Sequence, residues 1–214
     1  PMYPVHCNCE CHQTDELHRV RNPFRDSRED FEPEGVQSLY DAIDRFILSG
    51  AARLQRNRGH KPITMMIQVS NYTTQHHRLR NLIENRITTI REQFGGMGGH
   101  VTRLQDIWND EYMPMIQQFD EGFTLYGAGN ATDNPNRIFP PREVSLNCNF
   151  SEIRPHIVPF IQQIQHKVIN ASNPDEYLDY ENFPNGLKAV VYGGFSLGRG
   201  LTLEGLVNTY FARR

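Results

Sequence analysis

The sequence predicts an α/β fold, a mostly parallel sheet flanked by helices. Short, nearly continuous apolar runs recur, most clearly Ile63–Val69 and Leu187–Tyr192. Between them lie segments whose apolar residues return at helical spacing. A strand covered by helices on both faces reads as such a run, and alternation of the two patterns is the mark of a parallel sheet. With 214 residues, 38% of them hydrophobic and 22% charged, the chain can bury the core of one domain or one and a half. No internal repeat is visible.

Residues 1–35 are rich in Pro, Cys, His and charge and show no periodicity, so they read as an arm or linker ahead of a domain spanning 36–214. Pro33-Glu34-Gly35 punctuates the first helix. Its apolar face is Leu39, Ala42, Ile43, Phe46 and Ile47, with Gly50 and Gly59 bracketing its end. The strand Ile63–Val69 runs into Ser70-Asn71-Tyr72-Thr73-Thr74, a polar turn with good N-cap residues. A helix follows with Leu79, Leu82, Ile83, Ile87 and Ile90, ending at Gly95-Gly96.

Val101, Leu104, Ile107 and Trp108 suggest another helix, with Pro114 near a kink or a new start. Residues 120–149 read as loops with at most one short strand, and 95–150 as an insertion. Ile153, Ile157, Phe160, Ile161 and Ile164 give a further helix, in which Pro155 and Pro159 must sit early or bend it. Lys167–Asn170, Leu187–Tyr192 and Leu206–Phe211 complete the strands.

The formal charge of −3 argues against a surface that is basic throughout, though not against a local basic groove. No apolar run approaches the ~20 residues that span a bilayer, and no signal peptide is visible. Three of the four cysteines are bunched as Cys7, Cys9 and Cys11, with Cys148 alone, so no spaced disulfide framework exists. These features predict a cytoplasmic protein that does not enter a membrane.

The most informative segment is Tyr192-Gly193-Gly194-Phe195-Ser196-Leu197-Gly198-Arg199-Gly200-Leu201-Thr202-Leu203-Glu204-Gly205-Leu206. An apolar strand runs straight into a glycine-rich loop. In open α/β sheets ligands sit beyond the carboxyl ends of strands, and exposed main-chain amides there can hold phosphate oxygens. The spacing from Gly194 is G-x-x-x-G-x-G, neither a dinucleotide fingerprint nor a P-loop. A turn packed against a neighbouring strand fits the bare pattern equally well.

This segment resembles the signature of the endonuclease-type family known as the Z-one domain, Gly-Gly-x-x-Leu-Ser-Arg-Gly-Leu-Thr-Leu-Glu-Gly-Leu. Gly198 stands where that family usually has Ser. Met65-Met66-Ile67-Gln68-Val69-Ser70-Asn71-Tyr72 is similar to a second block, with Gln68 in place of His and Asn71 in place of Arg. Ser38 to Ala52 looks like the helix before it, and the resemblance covers about residues 36–214.

The resemblance implies a RecA-like lobe, the second lobe of superfamily-two helicases, from an ATP-driven, DNA-acting protein of a restriction or phage-defence system. It implies that Ser70, Asn71, Ser196 and Arg199 face the DNA backbone. Gly200, Thr202 and Glu204 would face the nucleotide. ATP and Mg²⁺ would belong to the complete protein, with DNA, a first RecA-like lobe and nuclease or methyltransferase subunits as partners. No G-x-x-x-x-G-K-[ST] occurs and the helicase-type arginines after the last strand are missing, so a truncated lobe that hydrolyses no ATP alone is expected. The alternative is a non-catalytic interaction or scaffold module.

Other candidates are plainer. Pro174-Asp175 occurs, but Gly186 stands where a PD-(D/E)xK nuclease needs an acid before Lys188. The acidic residues Asp175, Glu176, Asp179 and Glu181 read as a solvated loop rather than an Mg²⁺ site. Cys7, Cys9, Cys11 and His12, with His6, are candidate zinc ligands, but Cys-x-Cys-x-Cys lacks the usual spacer and incidental thiols on an arm suit it better. His76 and His77 are adjacent, not one turn apart, and so make no metal pair. Arg53, Arg56, Arg58, His60 and Lys61 form a basic stretch that either tracks a nucleic-acid backbone or solvates a helix end.

Overall fold

The structure, a computed structural model, describes residues 37–56, 59–69, 73–94, 98–118, 148–169, 178–194 and 202–211. Helix α1 (Gln37–Gln55) leads to strand β1 (Ile63–Gln68), then α2 (Thr73–Gln93) and α3 (Gly99–Ile107). A π turn, Trp108–Tyr112, continues α3 into a last helical stretch, 113–118. Helix α4 (Phe150–Ile161) then precedes β2 (Ile164–Ile169), β3 (Lys188–Gly193) and β4 (Leu206–Phe211). The four strands form one all-parallel sheet in the order β2-β3-β1-β4. The α/β expectation and the four strands are therefore observed.

All four helices cover one face of the sheet. Leu39, Ile43, Phe46 and Ile47 of α1 recur every three or four residues and are wholly buried, as a helix lying on a sheet requires. They join Met65 and Ile67 of β1, Ile83 and Ile90 of α2, Leu104 of α3, Trp108 of the π turn, and Ile153, Ile157 and Phe160 of α4 in a single core. Gly50 does not end α1, as its glycine suggested. It lies inside the helix, where a Cβ would stand 2.1 Å from Phe160 Cζ. The missing side chain lets α4 approach, and Phe160 meets Phe46 edge-on at 5.3 Å.

The π turn resolves the problem posed by Pro114. Met113 donates its N–H to Trp108 O, and the helix then continues through Pro114, which has no N–H to place. The wider turn swings Trp108, Glu111 and Tyr112 onto neighbours. Trp108 Nε1 donates to Cys148 O at 3.1 Å, Tyr112 stacks on Trp108, and Arg45 forms a two-pronged pair with Glu111 at 2.6 and 2.8 Å.

In α4 the prolines do not sit early, and the helix runs on through both. Pro155 and Pro159 are one turn apart on the exposed face, opposite Ile153, Ile157 and Phe160, so the carbonyls they deprive of donors face water. Gln163 Nε2 also donates to Pro159 O at 2.8 Å. The helix starts cleanly because Asn149 N donates to the Glu152 carboxylate at 2.6 Å. Ile164 belongs to β2 rather than to this helix, since two turn residues, Gln162 and Gln163, separate them.

Among the described residues the second face of the sheet is covered more thinly. Leu187, Ala189 and Val191 are buried there against Met66, Ile169, Leu178, Tyr180, Phe183 and Leu203. Residues 178–186 and Leu203 thus do the work that helices do on the first face. β4 is an outer strand with Leu206, Val207 and Phe211 exposed, and an irregularity at Val207 interrupts its pairing with β1. Its Asn208 and Tyr210 side chains reach α1, bonding Ala42 O and Ser38 Oγ. Among the described residues no helix is long and apolar enough to cross a membrane.

Candidate functional site: a switch-point crevice and a basic cleft

The path of the chain defines a crevice. After β1 it passes to α2, on the helix-covered face, and reaches β2 on the far side of β3. The strand that follows β3, β4, lies on the far side of β1, and Leu203 just ahead of it packs on the other face. β1 and β3 are neighbours in the sheet, paired through Ile67 and Tyr192. Two adjacent parallel strands whose connections leave in opposite directions make a topological switch point. Ligands of open α/β sheets bind in the crevice at the carboxyl ends of such strands.

The two informative sequence blocks meet there. Gln68-Val69 leads out of β1 and Gly193-Gly194 out of β3, side by side, although the sequence separates them by more than a hundred residues. Both glycines are buried. Gln75 and His76, at the start of α2 on the same side, are also buried, at 4% and 1% exposure. Ser70, Asn71, Ser196, Arg199 and Gly200 lie outside the described residues, as do Cys7, Cys9, Cys11 and His12.

Thr202 and Glu204 are exposed and belong to the far end of the β3–β4 connection. Glu204 O accepts from Thr64 Oγ1 at 2.8 Å and Gly205 O accepts from Thr64 N at 2.9 Å. Glu204 therefore stands at the amino ends of the strands, about 20 Å from the crevice at ~3.3 Å per strand residue. One connection thus touches both poles of the sheet.

At this amino pole, Arg53, His60, Lys61, Pro62, Glu204 and Gly205 line a cleft of about 580 Å³. The basic stretch noted in the sequence and the glutamate of the signature segment, far apart in the chain, are brought together here. Gly205 has φ +65°, and a Cβ on it would stand 1.9 Å from Pro62 O. Its glycine serves close packing as well as chain reversal.

Lys188 was not legible as a member of this pole. Its side chain is 1% exposed, and its ammonium donates to the carbonyls of Gly59, Asn185, Gly186 and, at 3.4 Å, Lys61. Burial, with the nearby charge of Arg53, pushes its pKa down to about 8. A lone lysine heading an apolar strand is the sequence signal that marks it.

Polar groups inside the helix layer are spent on structure. Asp44, fully buried, takes Arg103 Nε at 2.7 Å and lies 3.6 Å from Arg86. Burial raises the pKa of its carboxyl against the pull of those guanidiniums. His166 and Tyr192 stack, with Nδ1 and the hydroxyl 2.7 Å apart, and burial pushes His166 down to about 4. Among the described residues no three His, Cys, Asp or Glu groups could hold a metal ion. Asp179 bonds Asn182, and Asp175 and Glu176 lie outside those residues.

The fold and crevice define an open, all-parallel α/β domain of the kind that binds ligands at a switch point. The Z1 domain family profile matches residues 38–214, and the chain belongs to that family. No curated protein and no solved structure matches the chain.

Proposed function

We propose that this Z1 domain is one lobe of an ATP-dependent, DNA-acting protein and that its ligands meet at the crevice between β1 and β3. The observation that supports this reading is the convergence of two distant blocks, ending at Val69 and beginning at Gly193, on adjacent parallel strands at a switch point. Ser70, Asn71, Ser196 and Arg199 act on DNA phosphates there and Gly200 acts on the nucleotide side, whereas Thr202 and Glu204, at the other end of the β3–β4 connection, stand away from that ligand. ATP and Mg²⁺ are held chiefly by a partner lobe, which supplies the phosphate-binding loop this sequence lacks. Nucleotide bound between lobes changes their angle, and the β3–β4 connection carries that change to DNA.

A second reading, a scaffold for a nuclease or methyltransferase, draws on β4. Leu206, Val207 and Phe211 are 43%, 37% and 48% exposed on an outer strand, a surface suited to protein contact. Arg199→Ala in the complete protein separates the two. Loss of DNA-stimulated ATPase with assembly intact supports the motor lobe; lost assembly with ATPase intact supports the scaffold.

A further inference from the structure

The cleft at the amino pole is not part of the switch-point crevice and has a chemistry of its own. In the helix layer, guanidiniums meet carboxylates: Arg45 with Glu111, Arg80 with Glu84, and Arg103 with Asp41 and Asp44. At the amino pole, His60 and Lys61 are exposed, and among the described residues neither is in an ion pair. Arg53 donates to Pro62 O at 3.4 Å and lines the same cleft. Lys188 places a further positive charge just beneath, held by main-chain carbonyls rather than by a carboxylate. Among the described residues lining the cleft, Glu204 is the carboxylate set against these basic side chains.

The wall is also preorganised. Lys188 ties Gly59 and Lys61 to Asn185 and Gly186. Gly186, at φ +71°, packs so closely that a Cβ would stand 2.4 Å from Lys61 C, and Gly205 presses on Pro62 from another side. The segment presenting His60 and Lys61 is gripped by both neighbouring strand leads, so little ordering remains to be done when a ligand arrives.

We propose that this cleft is a second binding site, which takes a phosphate group whose neighbouring hydroxyl or amino group bonds Glu204. Lys61 supplies the charge and His60 a ring donor for the phosphate, at a wall that Arg53 also lines. Glu204 repels a bare anion and accepts a hydrogen bond from a donor beside it. That combination selects a nucleotide unit over inorganic phosphate, and a volume of about 580 Å³ suits one such unit. The phosphate comes either from a free nucleotide or from a nucleic-acid strand, and both share this chemistry.

The test is calorimetric titration of the chain with inorganic phosphate, with ADP and with a single-stranded 12-mer. ADP or the 12-mer is expected to bind at least tenfold more tightly than inorganic phosphate. His60→Ala combined with Lys61→Ala, both exposed and tolerable to the fold, should weaken the tighter probe at least tenfold with circular dichroism unchanged. Glu204→Gln should tighten inorganic phosphate several-fold, since it removes repulsion without a change of shape. Preference for ADP identifies a free-nucleotide site, and preference for the 12-mer identifies a strand site. Affinities unchanged by the double variant, or inorganic phosphate binding unchanged by Glu204→Gln, would overturn the proposal.

Discussion

The two faces of the sheet are built to different standards. One carries four helices and a continuous core in which Phe46, Phe160, Trp108 and Tyr192 are wholly buried. On the other, among the described residues, segment 178–186 and Leu203 pack over Leu187, Ala189 and Val191. Leu203, from the segment that carries the family signature, packs on this second face. Stability is concentrated where the helices pack.

Substitutions on the two faces sharpen this contrast. Phe160→Ala removes a buried ring that Gly50 was left bare to receive, and should cost about 3–5 kcal/mol in urea unfolding. Leu203→Ala, half-buried on the thin face, should cost about 1 kcal/mol while altering ligand affinity more than Phe160→Ala does. Equal costs would break the comparison.

A pH series gives the next effect. His166 lies on the helix-covered face, near Arg80 and Glu84, and its folded pKa of about 4 is below the ordinary 6.5. The unfolded chain therefore binds a proton between these values that the folded chain refuses. Stability should be constant above pH 6.5 and fall by about 2–3 kcal/mol as pH drops toward 4, on this account alone. His166→Gln, which keeps an acceptor for Tyr192, should flatten much of that slope; an unchanged acid limb would show that other groups govern it.

Much of the architecture was legible because apolar period reports burial directly. The runs at Ile63 and Leu187 and the i, i+4 face of α1 could belong to little else than a covered sheet and its helix. What escaped was set by packing between distant residues. Gly50 reads as a helix end until Phe160 is seen to occupy its missing side chain. Pro155 and Pro159 read as residues that must sit early in the helix or bend it because sequence does not show that both face water.

The sites divide in the same way. The glycine-rich segment announced itself, but nothing local shows that Glu204 and Gly205 lie at the opposite pole from Gly193. Lys188 was weighed against a nuclease pattern and set aside. Its role in gripping the His60–Lys61 turn depends on carbonyls supplied from another part of the chain.

The claim on which the proposal rests is that the segments after β1 and β3 address one ligand. The salt dependence of duplex DNA binding by the complete protein tests it most directly, with Asn71→Ala and Arg199→Ala. The account predicts that Arg199→Ala lowers the slope of log affinity against log salt by about one, the loss of a single phosphate contact. Asn71→Ala should weaken binding with the slope kept. Affinity and slope unchanged in both variants would contradict it.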